Sequence, residues 1–270
     1  MVTADRFPRP RSGTFLGPRS SAVQHKAGSA VVREISGAEL SALPSGVGPE
    51  KRLLKGAQVL LERLDPDRHA EPLHAASHES AEARCVWTYL PDGPFQDISA
   101  FIQWVRRMAA EPDRLFFAFR DRCTGRLGGM ATYLDIRPAM GSIEIGYIWF
   151  APFLQRTRQA TEALFLMLRY AFDDLGYRRV QWRCNALNEK SRAAALRLGF
   201  RFEGIFYQHM VVKGHNRDTA WYSILDHEWP PIRSNFERWL APSNFDERGR
   251  QILSLRRLNG SARASEATAD

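Results

Sequence analysis

The sequence predicts an α+β domain: a mixed, mostly antiparallel central sheet flanked by helices, with one β-α-β segment in mid-chain. Three observations lead there. Residues 114–121, 127–136 and 141–150 are rich in aromatic and β-branched side chains. They are separated by the turn formers Thr124-Gly125 and the stretch from Pro138 to Gly141, the pattern of successive antiparallel strands. The period then changes, because Ala160, Ala163, Leu164, Met167, Leu168 and Ala171 recur at helical spacing. The run 178–186 that follows reads as a strand again, which closes a strand-helix-strand unit.

The chain opens with about fifty residues in which Arg6, Arg9, Arg11, Arg19, Lys26 and Arg33 stand among Pro, Gly, Ser and Ala. Too few large apolar side chains occur there to offset the entropy of ordering, so residues 1–50 are expected to be a disordered basic extension. The folded domain is expected over 51–256. Its first strand is QVLLERL, 58–64. A helix starts after Asp65, with Pro66 in the first turn where its missing N–H is tolerated. A second helix, 97–111, places Phe101, Trp104, Val105 and Met108 on one apolar face. After the central strands comes the helix 157–176, with Thr157 as N-cap and Gly176 as its stop. The strand 178–186 is followed by a short helix from Asn188 to Gly199 and by strands 200–212 and 217–226. Residues Lys213 to Asn216 form the hairpin connection between those two. Residues 257–270 are small and polar and are expected to be a disordered tail.

Bulk composition narrows the function classes. The 270 residues are 44% hydrophobic and 25% charged, as in an ordinary globular protein, and the formal net charge is +8. Much of that charge lies in the first fifty residues, so nucleic acid is not the expected partner on this ground. Cys85, Cys123 and Cys184 are too few and too widely spaced for a disulfide framework or a zinc site, and they point to a cytoplasmic setting. No run of about eighteen apolar residues predicts a membrane span. The N-terminus is acid-poor and rich in Arg and Ser, as organellar targeting segments are, although Asp5 and the early prolines argue against that role.

Chemistry enters with FLQRTRQATEALF, residues 153–165. A helix N-terminus leaves N–H groups without partners and carries partial positive charge, so the loop from Gln155 to Thr161 can receive an anion such as a pyrophosphate. Further on, NEKSRAAALRLGFRFEG joins a polar helix start to a Leu-Gly-Phe exit and a strand. Together with IEIGYIWF, the segment from Leu154 to Gly204 and the trailing VVKGHNRDTAWYSILDHEW, this order of motifs resembles the GCN5-related N-acetyltransferase (GNAT) superfamily. Within it, the chain is most similar to the branch that includes enzymes acetylating ribosomal-protein N-termini. The resemblance covers residues 52–230, and extends towards 256.

The resemblance implies acetyl-CoA as co-substrate, no metal, and a cofactor loop of pattern Gln/Arg-x-x-Gly-x-Gly/Ala. On this chain Gln155 takes the first position, Arg158 the glycine position and Ala160 the last, with Arg156, Thr157, Gln159 and Thr161 completing the loop. Arg158 is a departure from the pattern, since a side chain there restricts the approach of phosphates unless it points away. Glu144 is the expected general base, alternating with Ile143 and Ile145 on the strand that leads into the loop; its structural role would be a salt-bridged strand glutamate. Ser191 matches the serine implicated in protonating the departing thiolate, with a pantetheine contact or a plain first-turn serine as alternatives. Asn188 is expected to contact pantetheine or to cap its helix. Tyr207 is a weaker candidate for the acid. Trp182 and Cys184 alternate into the core, His69, His74 and His78 are expected at the surface or on the acceptor side, and Arg217 and Asp218 are expected to hold the closing hairpin.

The expected activity is therefore direct acetyl transfer to a primary amine, the acceptor being a small-molecule amine or amino-acid derivative. A peptide N-terminus is the alternative within the same chemistry. From another class, a non-catalytic coenzyme A-binding module tethered to RNA or ribosomes is the competing expectation.

Overall fold

The structure is a computed structural model that describes residues 40, 42, 44 and 46–266, with side chains to residue 260. Expectations for residues 1–39 and 267–270 therefore lie outside the described residues.

In chain order the elements are β1 (Leu54–Lys55), β2 (Val59–Arg63), α1 (Pro66–His78), α2 (Ala81–Arg84), α3 (Ile98–Ala110), β3 (Leu115–Asp121), β4 (Leu127–Arg137), β5 (Ser142–Phe150), α4 (Arg158–Arg169), β6 (Arg179–Asn185), α5 (Glu189–Arg197), β7 (Arg201–Val212), β8 (His215–Leu225), α6 (Trp229–Leu240) and α7 (Leu255–Glu266). One eight-stranded sheet runs β1-β2-β3-β4-β5-β6-β8-β7. Every neighbouring pair is antiparallel except β5 and β6, which flank the α4 crossover. The strand-helix-strand unit thus supplies the parallel pair that such a crossover requires.

Local chemistry sets the boundaries. Asp65 caps α1 by accepting from Asp67 and Arg68 N–H, and Thr157 caps α4 by accepting from Ala160 N–H. Beyond Arg169 the helix continues for one π-helical turn, Tyr170–Asp174, and stops at Gly176, whose φ is +66°. The β7-β8 hairpin turns at Lys213-Gly214, both at positive φ, so His215 and Asn216 belong to the strand rather than the turn.

Each face of the sheet carries its own core. On one face Ile143, Ile145, Val180, Trp182, Cys184 and Tyr222 pack with α4 to α7. On the other, Phe116, Ala118, Met130 and Trp149 pack with α1 and α3, and Phe101, Trp104, Val105 and Met108 all point inward as their spacing predicts. This second core covers the β2 to β5 half of its face.

Three features depart from the sequence expectations. The segment read as a tail from 257 is entered by α7, whose Leu255 is fully buried and whose Asn259 amide donates to Arg197 O at 3.0 Å. Helix α6 is absent from the sequence expectations; its Pro230 and Pro231 lie in the first turn, where prolines cost no hydrogen bond, and Trp229, Ile232, Phe236 and Trp239 form its buried face. His69 is buried, not at the surface. Its Nδ1 accepts from Asp65 N–H at 3.0 Å and its Nε2 donates to Glu62 at 2.9 Å. His74 and His78 stack at 4.3 Å between ring centroids beside Phe101, on the rim of that core.

One contact ties the crossover helix to the sheet edge. The buried carboxylate of Glu162 on α4 accepts from Ala57, Gln58 and Val59 N–H at 2.8, 2.6 and 3.0 Å, which satisfies the whole β1-β2 turn.

Candidate active site

The site begins where β5 and β6 part. Their pairing ends after Ser142, Ile143 and Glu144 meet Arg179, Val180 and Gln181. Beyond it β5 bulges, since Met130 faces Trp149 and Thr132 faces Gly146, so that Tyr147 and Ile148 oppose a single residue. Tyr147 sits at φ +52°, a conformation that costs a non-glycine residue about 1–3 kcal/mol. The bulge bends β5 away from β6 and leaves one residue without a ladder partner, which opens a wedge between the strands.

Glu144 stands at the apex of that wedge, on the face opposite Ile143 and Ile145, and is buried. Burial is the largest influence on its carboxyl and raises the pKa to about 7; Arg183 opposes this and Asp135 adds to it. Arg183 Nε lies 2.5 Å from Glu144 Oε2, yet Oε2 has no in-line donor. The carboxylate is therefore electrostatically paired while a lone pair stays available to take a proton.

The loop expected to receive an anion follows. Gln155 Nε2 folds back onto Phe150 O at 2.9 Å, and Arg156, exposed, takes φ +62° where the chain enters α4. Thr157 Oγ1 donates to Leu154 O at 2.7 Å and accepts from Ala160 N–H at 3.2 Å. Thr161 Oγ1 is engaged by both terminal nitrogens of Arg197 at 3.2 Å. The side chains of Gln155, Thr157 and Thr161 thus serve the fold, and the first-turn N–H groups of Arg158 and Gln159 have no carbonyl one turn back within the helix. Ala160 is buried behind them.

On the other side of the wedge, Asn188 caps α5 by accepting from Ser191 N–H at 3.1 Å. Ser191 Oγ accepts from Trp182 Nε1 at 3.0 Å, which leaves its own hydrogen free to donate, and the Cys184 thiol is the near neighbour. Burial pushes that thiol up, so Cys184 stays protonated and belongs to the core.

The β6-β8-β7 part of the face that carries Glu144 adjoins it, with Gln181, Thr219 and Ser223 buried there. Here Arg183 lies over the Trp221 ring at 5.0 Å, Phe206 packs on the same ring at 5.0 Å, and His209 Nδ1 meets Thr219 Oγ1 at 3.0 Å. Two hydrogen bonds cross from the segment after α2: Lys213 Nζ donates to Trp87 O at 2.8 Å, and Tyr89 OH donates to Leu187 O at 3.1 Å. Tyr207, 76% exposed, points outward and does not join the wedge. Among the described residues no group of three or more His, Cys, Asp or Glu side chains could hold a metal ion, and no helix is long and apolar enough to cross a membrane.

A family model for the acetyltransferase (GNAT) domain matches residues 58–201. The chain belongs to the GNAT acetyltransferase family. A crystal structure of a GCN5-related N-acetyltransferase from Brucella melitensis is 44% identical, with a TM-score of 0.79 over 82% of this chain and 99% of that one. A GNAT-family structure from Chromobacterium violaceum is 41% identical over 72% and 96%, with a TM-score of 0.67. Among curated proteins, Bacillus subtilis YdaF, named as a candidate ribosomal N-acetyltransferase, is 35% identical over 105 residues, which are 39% of this chain. The matched segment spans 57% of that relative's length.

For a GNAT acetyltransferase, whose co-substrate is acetyl-CoA, the departure at Arg158 needs an account, and the geometry supplies one. The guanidinium turns away from the loop, donates to Leu240 O at 2.8 Å and lies 4.2 Å from the Phe245 ring centroid. It pins the C-terminal segment to the start of α4 and leaves the backbone approach open. Arg158→Ala should therefore keep its affinity for coenzyme A within a few-fold, while thermal unfolding shows about 1–2 kcal/mol less stability. A tenfold change in affinity with unchanged stability would contradict this placement.

Two site residues escaped sequence reasoning. Arg183 was legible as alternating with Trp182 and Cys184, but only the β5-β6 register sets it against Glu144. Arg217, expected in the hairpin, pairs there through its backbone, but its guanidinium Nε has no hydrogen-bond partner. The Asp218 side chain serves the hairpin, accepting from Gln208 N–H at 2.7 Å and Asn216 Nδ2 at 3.0 Å, whereas Arg217 belongs to it through its strand pairing with Met210.

Proposed function

We propose that this chain acetylates a primary amine by direct transfer from acetyl-CoA, with Glu144 as general base. The observation that carries the proposal is the buried carboxylate, raised to about 7, at the apex of the β5-β6 wedge. A base poised near the working pH exchanges protons readily in both directions. Arg158 and Gln159 N–H at the α4 terminus would hold the pyrophosphate, and Gln155, Arg156, Thr157, Ala160 and Thr161 would shape that loop. Glu144, directly or through water, takes the proton from the acceptor's ammonium. The freed amine attacks the thioester carbon, so that a C–N bond forms and the C–S bond breaks. Backbone N–H groups at the Tyr147 bulge favour the transient oxyanion. Ser191, whose hydroxyl accepts from Trp182 and lies against the Cys184 thiol, returns a proton to the thiolate, and Asn188 holds Ser191 in place through the cap.

The acceptor is a small amine or amino-acid derivative. The hydrogen bonds from Lys213 to Trp87 O and from Tyr89 to Leu187 O tie the segment after α2 to β7 and to the loop before α5, which favours a compact acceptor. A second reading, acetylation of a protein N-terminus, is favoured by the likeness to YdaF. An acceptor screen of amines against short peptides, read by release of free thiol from acetyl-CoA, separates the two. Turnover with peptides alone would transfer the proposal to the second reading. A Glu144→Gln, Ser191→Ala double variant that kept full turnover with the confirmed acceptor would remove both residue assignments.

A further inference from the structure

Arg217 is the group on the acceptor face that the protein itself leaves unanswered. It is half-buried on β8, its Nε is shielded from solvent without a hydrogen-bond partner, and among the described residues no carboxylate stands within ion-pair distance of it. The acids around it are already engaged: Glu144 by Arg183 at 2.5 Å, Asp135 by Arg137 at 2.8 Å, and Asp218 by the β7-β8 turn. Withdrawing a guanidinium from water without giving it an anion is costly, and folds that accept the cost usually recover it from a ligand. A second shielded donor, Trp221 Nε1, also has no partner. Residues 217, 219 and 221 of a strand point to the same side, and the β5-β6-β8 register puts both donors on the face that carries Glu144 and Arg183. The charges of Arg183 and Arg217, after burial itself, also hold His209 below its usual pKa, so that neighbour is neutral and the face carries surplus positive charge. A purely cationic acceptor, such as a polyamine or a lysine side chain, would be repelled there. An amine that brings its own anion would not.

We infer that the acceptor carries an anionic group, a carboxylate or a phosphate, close to its amine, and that Arg217 binds this group while the amine faces Glu144. The planar five-donor guanidinium suits either anion. This inference rests on the acetyl-transfer reading of the same site.

The test pairs acceptors that differ in that group alone: each standard α-amino acid with its α-carboxamide, and O-phosphoethanolamine with ethanolamine, assayed by free thiol release. At least one anionic member should exceed its neutral partner about 100-fold in kcat/KM, and the two arms tell which anion is read. Arg217→Gln should bring that ratio to within a few-fold, mainly through the acceptor KM, and Arg217→Lys should restore part of it. The KM for acetyl-CoA should not rise and the Tm should not fall, whereas loss of a merely structural arginine would move both. A wild-type protein that favours the neutral partners, or an Arg217→Gln protein that keeps the ratio, overturns the assignment while acetyl transfer stands. If no amine of the panel is acetylated, calorimetry of N-acetylated amino acids and their amides with the coenzyme A-saturated protein decides. An Arg217-dependent preference for the acids upholds the anion site and leaves the acetyl-transfer reading to fail alone; no preference overturns the anion site too.

Discussion

Glu144→Gln is expected to lower kcat by about 10²–10⁴-fold with little change in the KM for acetyl-CoA. The amide keeps the shape of the side chain but cannot take a proton, and nothing else at the apex of the wedge replaces it. Steady-state kinetics with the confirmed acceptor measure this directly. Wild-type kcat should rise with pH through about 7, where the buried carboxyl ionises, and then level off; that limb should be missing from the variant. Stability carries the same signature with the opposite sense. A carboxyl whose folded pKa lies above its usual 4.5 contributes stability that is full below 4.5 and is lost as pH rises through about 7. The wild-type Tm should therefore decline relative to Glu144→Gln between pH 5 and pH 8. A variant with wild-type kcat, or a wild-type profile flat across pH 7, removes Glu144 from the chemistry.

Glu162→Ala is expected to be the most damaging single substitution for the fold, at about 3–5 kcal/mol. Three N–H donors of the β1-β2 turn lose their common acceptor at once, and Val59, whose N–H is one of them, is fully buried. For a domain of this size the Tm should fall by roughly 10 °C. Glu162→Gln should fall between, because its amide nitrogen would meet donors. Gly56 supplies an internal check. A Cβ there would lie 2.4 Å from Glu162 Oε2, so Gly56→Ala should destabilise the wild-type protein and do much less harm beside Glu162→Ala. Additive effects of the two substitutions would show that the carboxylate does not occupy the turn.

Much of this was legible beforehand, for reasons that are local. Alternation in SIEIGYIWF put Glu144 on the face opposite Ile143 and Ile145, and the caps Thr157 and Asn188 and the stop Gly176 announced their helices through the hydrogen bonds such residues make. The 3.6-residue period of 160–171 fixed the crossover, and with it the one parallel strand pair. What was missed is non-local. His69 looked like a surface histidine because nothing near it in sequence shows that Glu62 and Asp65 N–H will enclose it. Arg158 looked like an obstruction because its partners, Leu240 and Phe245, lie more than eighty residues away.

The sequence alone determined the order of the main strands and helices from β2 to β8, the family resemblance and the face on which Glu144 lies, because hydrophobic period, caps and turns are written in neighbouring residues. Only the tertiary structure decided the state of the site. Burial raises Glu144, the β5-β6 register brings Arg183 to its carboxylate, and the fold on β8 leaves Arg217 without an anion. Desolvation and Coulomb energy depend on distances between residues far apart in the chain, and those distances exist only once the sheet has closed.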